Sequence, residues 1–261
     1  TVTINPIPVV FTVTGGGSYC VGDAGLPIGL TNSVVGINYQ LYNGLTPVGM
    51  PLAGTGSALD FGLQTVVGSY TVVAIDAITG CSSNMTSSAV IVMNPLPAVY
   101  ATTGGGSFCT GGAGVNVGLL ASNTGISYQL YVGAMPVGSP ITGVGTSINF
   151  GLQTIPGIYT IVATNTITGC TSTMSGSAVV VANPLPVAYN VTGGGIYCAG
   201  GAGVSVGLDN SDLGIYYALY NGMSLVGTWA GTGAALDFGL QAGTGVYTVV
   251  ATDAMTGCTN N

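Results

Sequence analysis

The chain has 261 residues with 46 Gly, 12 Pro and 6 Cys, and its seven acidic residues, all Asp, are accompanied by no Lys, Arg or His. A chain without cations cannot neutralise nucleic-acid phosphates, and it lacks the usual general base, Schiff-base lysine and phosphate clamp of enzymes. We therefore expect no nucleic-acid partner and no enzymatic activity. The longest apolar runs, such as residues 89–93, are far shorter than the roughly 20 residues that span a bilayer, so no membrane span is predicted.

Short runs of alternating apolar and polar residues, punctuated by Gly, Pro and Asn, predict an antiparallel sandwich and no helix. In the first third of the chain the predicted strands cover residues 9–14, 27–30, 37–42, 48–52, 58–61, 70–75 and 88–93. At period two, Ile37, Tyr39 and Leu41 share one face of their strand and are assigned to the core. The opposite face carries Asn38, Gln40 and Tyr42.

The sequence repeats with a period of 89 residues, which separates Cys20 from Cys109 and Cys109 from Cys198. An Asn-Pro-x-Pro motif recurs with the same spacing at residues 5–8, 94–97 and 183–186. Such self-similarity indicates tandem modules of one fold. We define three repeats as residues 5–93, 94–182 and 183–261. Residues 1–4 resemble the last strand of a preceding module and the third repeat lacks its own last strand, so a segment of a longer array is expected.

A tyrosine begins the penultimate strand of each repeat, within the related segments at residues 68–74, 157–163 and 245–251. This placement resembles the tyrosine corner of immunoglobulin-like sandwiches, in which the hydroxyl ties a loop to the sheet. Where antibody domains carry their second cysteine, this chain has Val72, Ile161 and Val249. The inter-sheet disulfide of those domains is therefore absent.

The two cysteines of each repeat lie 61, 61 and 60 residues apart. A bond within each repeat uses all six cysteines in the same way three times, which predicts the pairs Cys20–Cys81, Cys109–Cys170 and Cys198–Cys258. Nucleophilic and zinc-binding roles lack the neighbouring bases and the close spacing that they require. Disulfides imply an oxidising, extracellular compartment.

Aspartate and asparagine exchange at two positions of the repeat: Asp60, Asn149 and Asp237 align, as do Asp76, Asn165 and Asp253. Because the second repeat has no acid, carboxylate catalysis would fail there, and these residues are interpreted as turn formers that bind backbone N–H groups. Calcium binding by the first and third repeats is left open. The Gly-Gly-Gly tracts lack the Lys and helix of a phosphate loop, so a bulge or a crossover between sheets is predicted. No catalytic, cofactor or metal residue is predicted.

Four sequence motifs characterise the repeat: Thr-Gly-Gly-Gly-Ser-Tyr-Cys at 14–20, Tyr-Gln-Leu-Tyr at 39–42, Gly-Ser-Tyr-Thr-Val-Val-Ala at 68–74 and Thr-Gly-Cys at 79–81. They resemble the tandem Ig-like repeats of giant Bacteroidota surface proteins, including gliding-motility adhesins exported by the type IX pathway. The resemblance implies a non-catalytic, extracellular module at the cell surface.

Two functions compete. In the first, the modules form a disulfide-stapled stalk of a surface filament or giant adhesin. In the second, each module binds a carbohydrate or surface polymer through an outward aromatic residue, with Tyr42, Tyr131 and Tyr220 as the candidates. The near absence of charge also predicts a homo-oligomer formed by lateral packing of chains, since such faces can meet without desolvating ions.

Overall fold

The structure, a computed structural model, describes residues 2–261, and within them it contains 25 strands and no helix. Thr1, the first of the four residues interpreted as the last strand of a preceding module, lies outside the described residues. Residues 2–11 form no strand. The described chain divides into two compact units: the first comprises residues 2–99, Asn123–Tyr128 and Val162–Thr173, and the second comprises the remainder. The first unit thus includes two segments of the second repeat.

Nine strands belong to the first repeat. They are β1 (Val13–Gly15), β2 (Gly17–Cys20), β3 (Leu26–Leu30), β4 (Ile37–Asn43), β5 (Thr46–Ala53), β6 (Leu59–Gln64), β7 (Gly68–Asp76), β8 (Ser82–Asn84) and β9 (Ala89–Asn94). The second repeat has the same nine elements in the same order. They are β10 (Thr102–Gly104), β11 (Gly106–Cys109), β12 (Val115–Leu119), β13 (Ile126–Val132), β14 (Met135–Thr142), β15 (Ile148–Gln153), β16 (Gly157–Asn165), β17 (Thr171–Thr173) and β18 (Ala178–Asn183).

The third repeat has seven strands among the described residues. They are β19 (Val191–Gly193), β20 (Val204–Leu208), β21 (Ile215–Asn221), β22 (Ser224–Ala230), β23 (Leu236–Gln241), β24 (Tyr247–Asp253) and β25 (Thr259–Asn260). The counterparts of β2 and β9 are the two elements that the described part of this repeat does not contain.

Each of the first two repeats forms two sheets. One has three strands in the order β1-β3-β6, and the other has the order β2-β9-β7-β4-β5 with β8 also paired to β7; the second repeat reproduces both as β10-β12-β15 and β11-β18-β16-β13-β14 with β17. In the first repeat the strands pair antiparallel with one another, except β2 with β9, which is parallel. The third repeat has the sheets β19-β20-β23 and β22-β21-β24-β25.

The core of the first repeat confirms the predicted inward face of β4. Ile37, Tyr39 and Leu41 are buried in one cluster with residues of both sheets, among them Ile28 and Val72. Alternation along a strand sends these side chains to one face of the sheet. Burial of such side chains is the main favourable contribution to the stability of a sandwich of this size.

The first predicted strand, residues 9–14, differs from the structure. The chain instead forms β1 against β3 and then crosses to the other sheet as β2. Gly15, Gly16 and Gly17 make this crossover with φ of 94°, 77° and 129°, a region that favours glycine. A Cβ on Gly16 would lie 2.7 Å from the Val90 carbonyl oxygen. The prediction of a crossover at the glycine tract is confirmed. The close approach of Gly16 to β9 explains why a residue without a Cβ is needed there.

Candidate functional site: the junction between repeats

Two disulfides join successive repeats. Cys20 at the end of β2 is bonded to Cys170, and Cys109 at the end of β11 is bonded to Cys258, with Cα–Cα distances of 5.6 and 5.5 Å. Each bond therefore links the first cysteine of one repeat to the second cysteine of the next. Each also lies within one compact unit, the first bond in the first unit and the second bond in the second.

The predicted pairing within repeats, Cys20–Cys81, Cys109–Cys170 and Cys198–Cys258, is therefore wrong. Strand β7 starts at Gly68, which lies across Ile91 from the start of β2, and runs for nine residues to Asp76 in the direction opposite to β2. At ~3.3 Å per residue this is about 30 Å. Cys81 lies at that far end, where its carbonyl accepts the Asp76 N–H at 2.9 Å. The two cysteines of one repeat thus occupy opposite ends of its sheet, while a disulfide needs Cα atoms within ~7 Å.

The last strand of each of the first two repeats, β9 or β18, positions the first cysteine of that repeat. We call this last strand the exit strand. β2 runs parallel to β9 so that Cys20 pairs with Asn94, and β11 runs parallel to β18 so that Cys109 pairs with Asn183. The next residue continues the ladder, because the N–H of Val21 donates to the Asn94 carbonyl at 3.0 Å. The Asn-Pro-x-Pro motif follows directly. The cysteine is therefore held where the chain leaves one repeat and enters the next.

The second cysteine reaches the same place from the following repeat. Ser172 Oγ, two residues after Cys170, donates to the carbonyl of Pro97 at 2.9 Å. In the next repeat Asn260, two residues after Cys258, donates to the carbonyl of Pro186 at 2.8 Å. Both bonded second cysteines are at most 1% exposed. The proline motif and the disulfide therefore form one structural unit, which we call the junction.

Cys81 and Cys198 are free thiols. Cys81 is the second cysteine of the first repeat, and its sulfur lies 3.9 Å from the carbonyl oxygen of Asn5. Asn5 occupies the repeat position of Asn94 and Asn183. Cys198 is the first cysteine of the third repeat and is exposed. Neither thiol has a disulfide partner among residues 2–261.

The tyrosine corner is confirmed in all three repeats. The hydroxyls of Tyr70, Tyr159 and Tyr247 donate to the carbonyls of the residues four positions earlier, at 2.7, 2.8 and 2.8 Å. Burial is the main cause that raises the pKa of the Tyr70 and Tyr159 hydroxyls above the ordinary value. Tyr70 and Tyr159 are fully buried, whereas Tyr247, which has no exit strand beside it, is half-buried.

The interpretation of the Asp and Asn positions as turn formers is also confirmed. The Oδ1 atoms of Asp76, Asn165 and Asp253 each accept the N–H groups two and three residues later, at 2.8–3.2 Å. Asp60, Asn149 and Asp237 each accept the N–H two residues later at 2.8 Å. The bonds from Thr79 and Ile78 hold the pKa of the Asp76 carboxyl below its ordinary value. Among residues 2–261, no three His, Cys, Asp or Glu side chains are grouped so that they could hold a metal ion.

The three candidate aromatic contacts are half-buried. Tyr42 lies between Pro47 and Thr71 of the neighbouring strands, and Tyr220 lies between Leu225 and Thr248. Tyr131 holds the same repeat position and is also half-buried. These side chains support cross-strand packing, and their role in binding stays a prediction.

Sequence reasoning missed a second set of tyrosine anchors and a buried amide. The hydroxyls of Tyr39, Tyr128 and Tyr217 each accept the backbone N–H five residues earlier at 2.9 Å. Gln40, expected on the outer face, is buried and donates to the carbonyls of Leu41 and Val48. The register between β4 and β5 shifts at Gln40, between Tyr39 and Leu41, and sequence alternation alone does not reveal this irregularity.

The chain matches no family model and no curated protein. Among solved structures, it is similar to the mouse nectin-like molecule 4 ectodomain, with 12% identity over 90% of this chain and 91% of that one and a TM-score of 0.38. The chicken CNTN1 FN1–FN3 domains give 12% identity over 98% and 97%, with a TM-score of 0.30. The human OSCAR ligand-binding domain gives 14% identity over 67% and 100%, with a TM-score of 0.29.

The strand order of the two sheets, with the first strand shared between them, and the tyrosine corner identify the architecture. The fold is immunoglobulin-like. The predicted fold class, all-β with tandem immunoglobulin-like sandwiches stabilised by disulfides, is thereby confirmed, although each disulfide is shared between two repeats. Disulfides of this kind are typical of secreted and extracellular proteins. Residues 2–261 form no helix with the length and apolar character that crossing a bilayer requires.

Proposed function

We propose that these repeats are a structural segment of an extracellular surface filament or giant adhesin, acting as a stalk that extends from the cell for attachment. The observation that carries the proposal is the disulfide between successive repeats. A binding module needs stability within itself, whereas a stalk needs strength from one module to the next. A covalent bond placed at the exit of one repeat and the entry of the next supports the second requirement.

The two disulfides shorten the covalent path through the chain. With both bonds reduced, force between Cys20 and Cys258 is carried by 238 residues of backbone. With both bonds formed, Cys20 connects directly to Cys170 and Cys258 to Cys109, so the shortest path is the 61 residues between Cys109 and Cys170. The remaining 177 residues are removed from the extensible length, which is about 600 Å at ~3.5 Å per residue.

The amino-acid sequences of the repeat motifs support a more specific assignment. Their likeness to the Ig-like repeats of Bacteroidota surface proteins leads us to propose a gliding-motility adhesin-like protein exported by the type IX pathway and held at the cell surface. The division into modules at residues 5–93, 94–182 and 183–261 belongs to this proposal.

We also propose that chains pack laterally within the filament. Val90 and Val92 on the outer face of β9 are 52% and 48% exposed, and Val179 and Val181 on β18 are 51% and 45% exposed. The same apolar face therefore recurs in successive repeats, and no charged residue lies on either strand. A weak apolar contact that is repeated in successive repeats gains strength by avidity.

Single-molecule force spectroscopy on the 261-residue chain tests the stalk function. We expect a total unfolding extension that is about 600 Å shorter in oxidised chains than in chains treated with dithiothreitol. A glycan array with the same protein tests the alternative function as a carbohydrate-binding module. Equal extensions in the two redox states would remove the argument from the junction, and specific glycan binding lost in a Tyr42→Ala, Tyr131→Ala, Tyr220→Ala variant would favour the binding function.

A further inference from the structure

In the third repeat, residues 2–261 place no strand between residues 195–198 and β24. In the first repeat β9 lies between β2 and β7, pairing Ile91 with Gly17 on one side and with Gly68 on the other. In the third repeat residues 195–198 correspond to β2 and β24 corresponds to β7. No strand of residues 2–261 pairs between them. We call this gap the open edge.

Residues 195–198 hold the conformation of β2 without its partner. Gly193, Gly194 and Gly195 have φ of 84°, 78° and 128°, close to the values of the first glycine tract. The hydroxyl of Tyr197 donates to the carbonyl of Ala242, as that of Tyr19 does to Thr65. A Cβ on Gly194 would meet no atom within 4 Å, although its counterparts Gly16 and Gly105 would collide with the strand beside them. The space that β9 fills in the first repeat is therefore not occupied by residues 2–261 in the third.

The start of the chain has the pattern of that strand. When Asn5 is aligned with Asn94 and Asn183, Val2 takes the position of Ile91 and Val180, which are each 1% exposed in their own repeats. Val2 itself is 97% exposed and belongs to no strand. An apolar side chain in that position would regain the burial that its counterparts have.

The two free thiols occupy the repeat positions of the cysteines that are bonded in the two junctions. In both complete junctions the first cysteine pairs with the Asn that ends the exit strand and bonds to the second cysteine of the next repeat. Cys198 is a first cysteine without a partner, and Cys81 is a second cysteine that already lies 3.9 Å from Asn5. Asn5 placed beside Cys198 would bring Cys81 to it.

We propose that two copies of this chain join end to end by forming a third junction. Val2–Asn5 of one copy adds to the open edge of the other, parallel to residues 195–198 and antiparallel to β24, with Val2 in the core position of Ile91. Cys198 of the first copy then bonds to Cys81 of the second. The two thiols lose two protons and two electrons to an external disulfide, which is reduced to two thiols. This assembly does not depend on the stalk function, because it rests on the open edge and the free thiols alone.

Mixing two single-cysteine variants tests the proposal. Cys81→Ser keeps only the free thiol Cys198 beside the open edge, and we call it the acceptor variant. Cys198→Ser keeps only the free thiol Cys81 of the copy that contributes the strand Val2–Asn5, and we call it the donor variant. In a glutathione redox buffer each variant alone should remain monomeric on a non-reducing gel. Their mixture should give one dimer with a single Cys198–Cys81 peptide, identified after chymotryptic digestion, since the chain has no tryptic site.

The strand contribution is measured on the same dimer. Val2→Asp in the donor variant should slow its formation at least roughly tenfold, because an unpaired carboxylate would enter the core. Thr3→Asp, at the outward position of Val92, should leave the rate unchanged within about twofold. Four results would each overturn the proposal. They are a disulfide dimer of either variant alone, a Cys81–Cys198 bond within one copy of the parent chain, a mixture that stays monomeric, and equal rates of dimer formation for the two Asp variants.

Discussion

Alanine at the middle glycine of each crossover separates backbone strain from the close approach of the exit strand. Gly16, Gly105 and Gly194 share φ between 77° and 83°, so each alanine loses the same roughly 1–2 kcal/mol for the left-handed conformation. At Gly16 and Gly105 the new Cβ would also lie 2.7 Å from the carbonyls of Val90 and Val179. Relief of that clash requires β9 or β18 to move, which costs a further ~1–3 kcal/mol, as overpacked sites do.

We therefore expect Gly16→Ala to lower the free energy of unfolding of the first repeat by about 2–5 kcal/mol. Gly194→Ala should lower that of the third repeat by only about 1–2 kcal/mol. Urea unfolding followed by hydrogen exchange and mass spectrometry resolves the repeats, in a Cys198→Ser background that prevents assembly. The reasoning fails if the two alanines cost the same. In a background that retains Cys198, Gly194→Ala should also block dimer formation with the donor variant, because its Cβ occupies the open edge.

Three further predictions concern groups that recur between repeats. Gln40→Ala and Gln129→Ala should each destabilise their repeat by roughly 1–3 kcal/mol in urea unfolding, since carbonyls at the bulge lose their donor; a loss below ~0.5 kcal/mol would contradict this. Tyr70→Phe should cost about 1–2 kcal/mol by the same assay through the lost bond to Val66, and an unchanged midpoint would count against the tyrosine corner. The lowered carboxyl pKa of Asp76 and Asp253 implies stability that is present above the ordinary pKa of ~3.9 and is lost as pH falls through the folded value. NMR-monitored unfolding at pH 3 and 6 should therefore show acid destabilisation in the first and third repeats, reduced by Asp76→Asn and by Asp253→Asn, and none from the matching turn of the second, which has Asn165. In the third repeat a part should persist after Asp253→Asn, since hydrogen bonds from Gly239 and Ser205 lower the pKa of the Asp237 carboxyl as well.

The sandwich was predictable because its signals are local. Alternation in residues 37–42 places Tyr39 in the core, and the tyrosine at the start of β7 marks the corner; both depend on a few neighbouring residues. The Asp and Asn turns were equally accessible, since one side chain binds N–H groups two or three residues away.

The junction was not predictable by the same reasoning because its contacts are 149 and 150 residues apart. The sequence argument required all six cysteines to be used and so favoured bonds within repeats. Disulfides between successive repeats leave Cys81 of the first repeat and Cys198 of the third repeat unpaired. An argument that prefers the pairing with the most disulfides therefore rejects this arrangement. What the sequence argument lacked is the parallel pairing of β2 with β9, which only the structure shows and which places Cys20 at the end of its repeat.

Lateral packing is open to a charge-matched test. Val90→Asp with Val179→Asp places one carboxylate on the exposed apolar face of each of two successive repeats, where packing against another chain would have to desolvate it. Asn149→Asp with Asn165→Asp adds the same two charges at turn positions where the other repeats already carry Asp. Both variants are made with Cys81→Ser and Cys198→Ser, so that end-to-end joining cannot contribute. In analytical ultracentrifugation we expect concentration-dependent association of the parent and of the turn variant, and at least roughly tenfold weaker association of the valine variant, since a repeated contact loses affinity at every copy. A parent chain that is strictly monomeric at high concentration, or equal association of the two charge variants, would show that the valine face is not the surface on which chains meet.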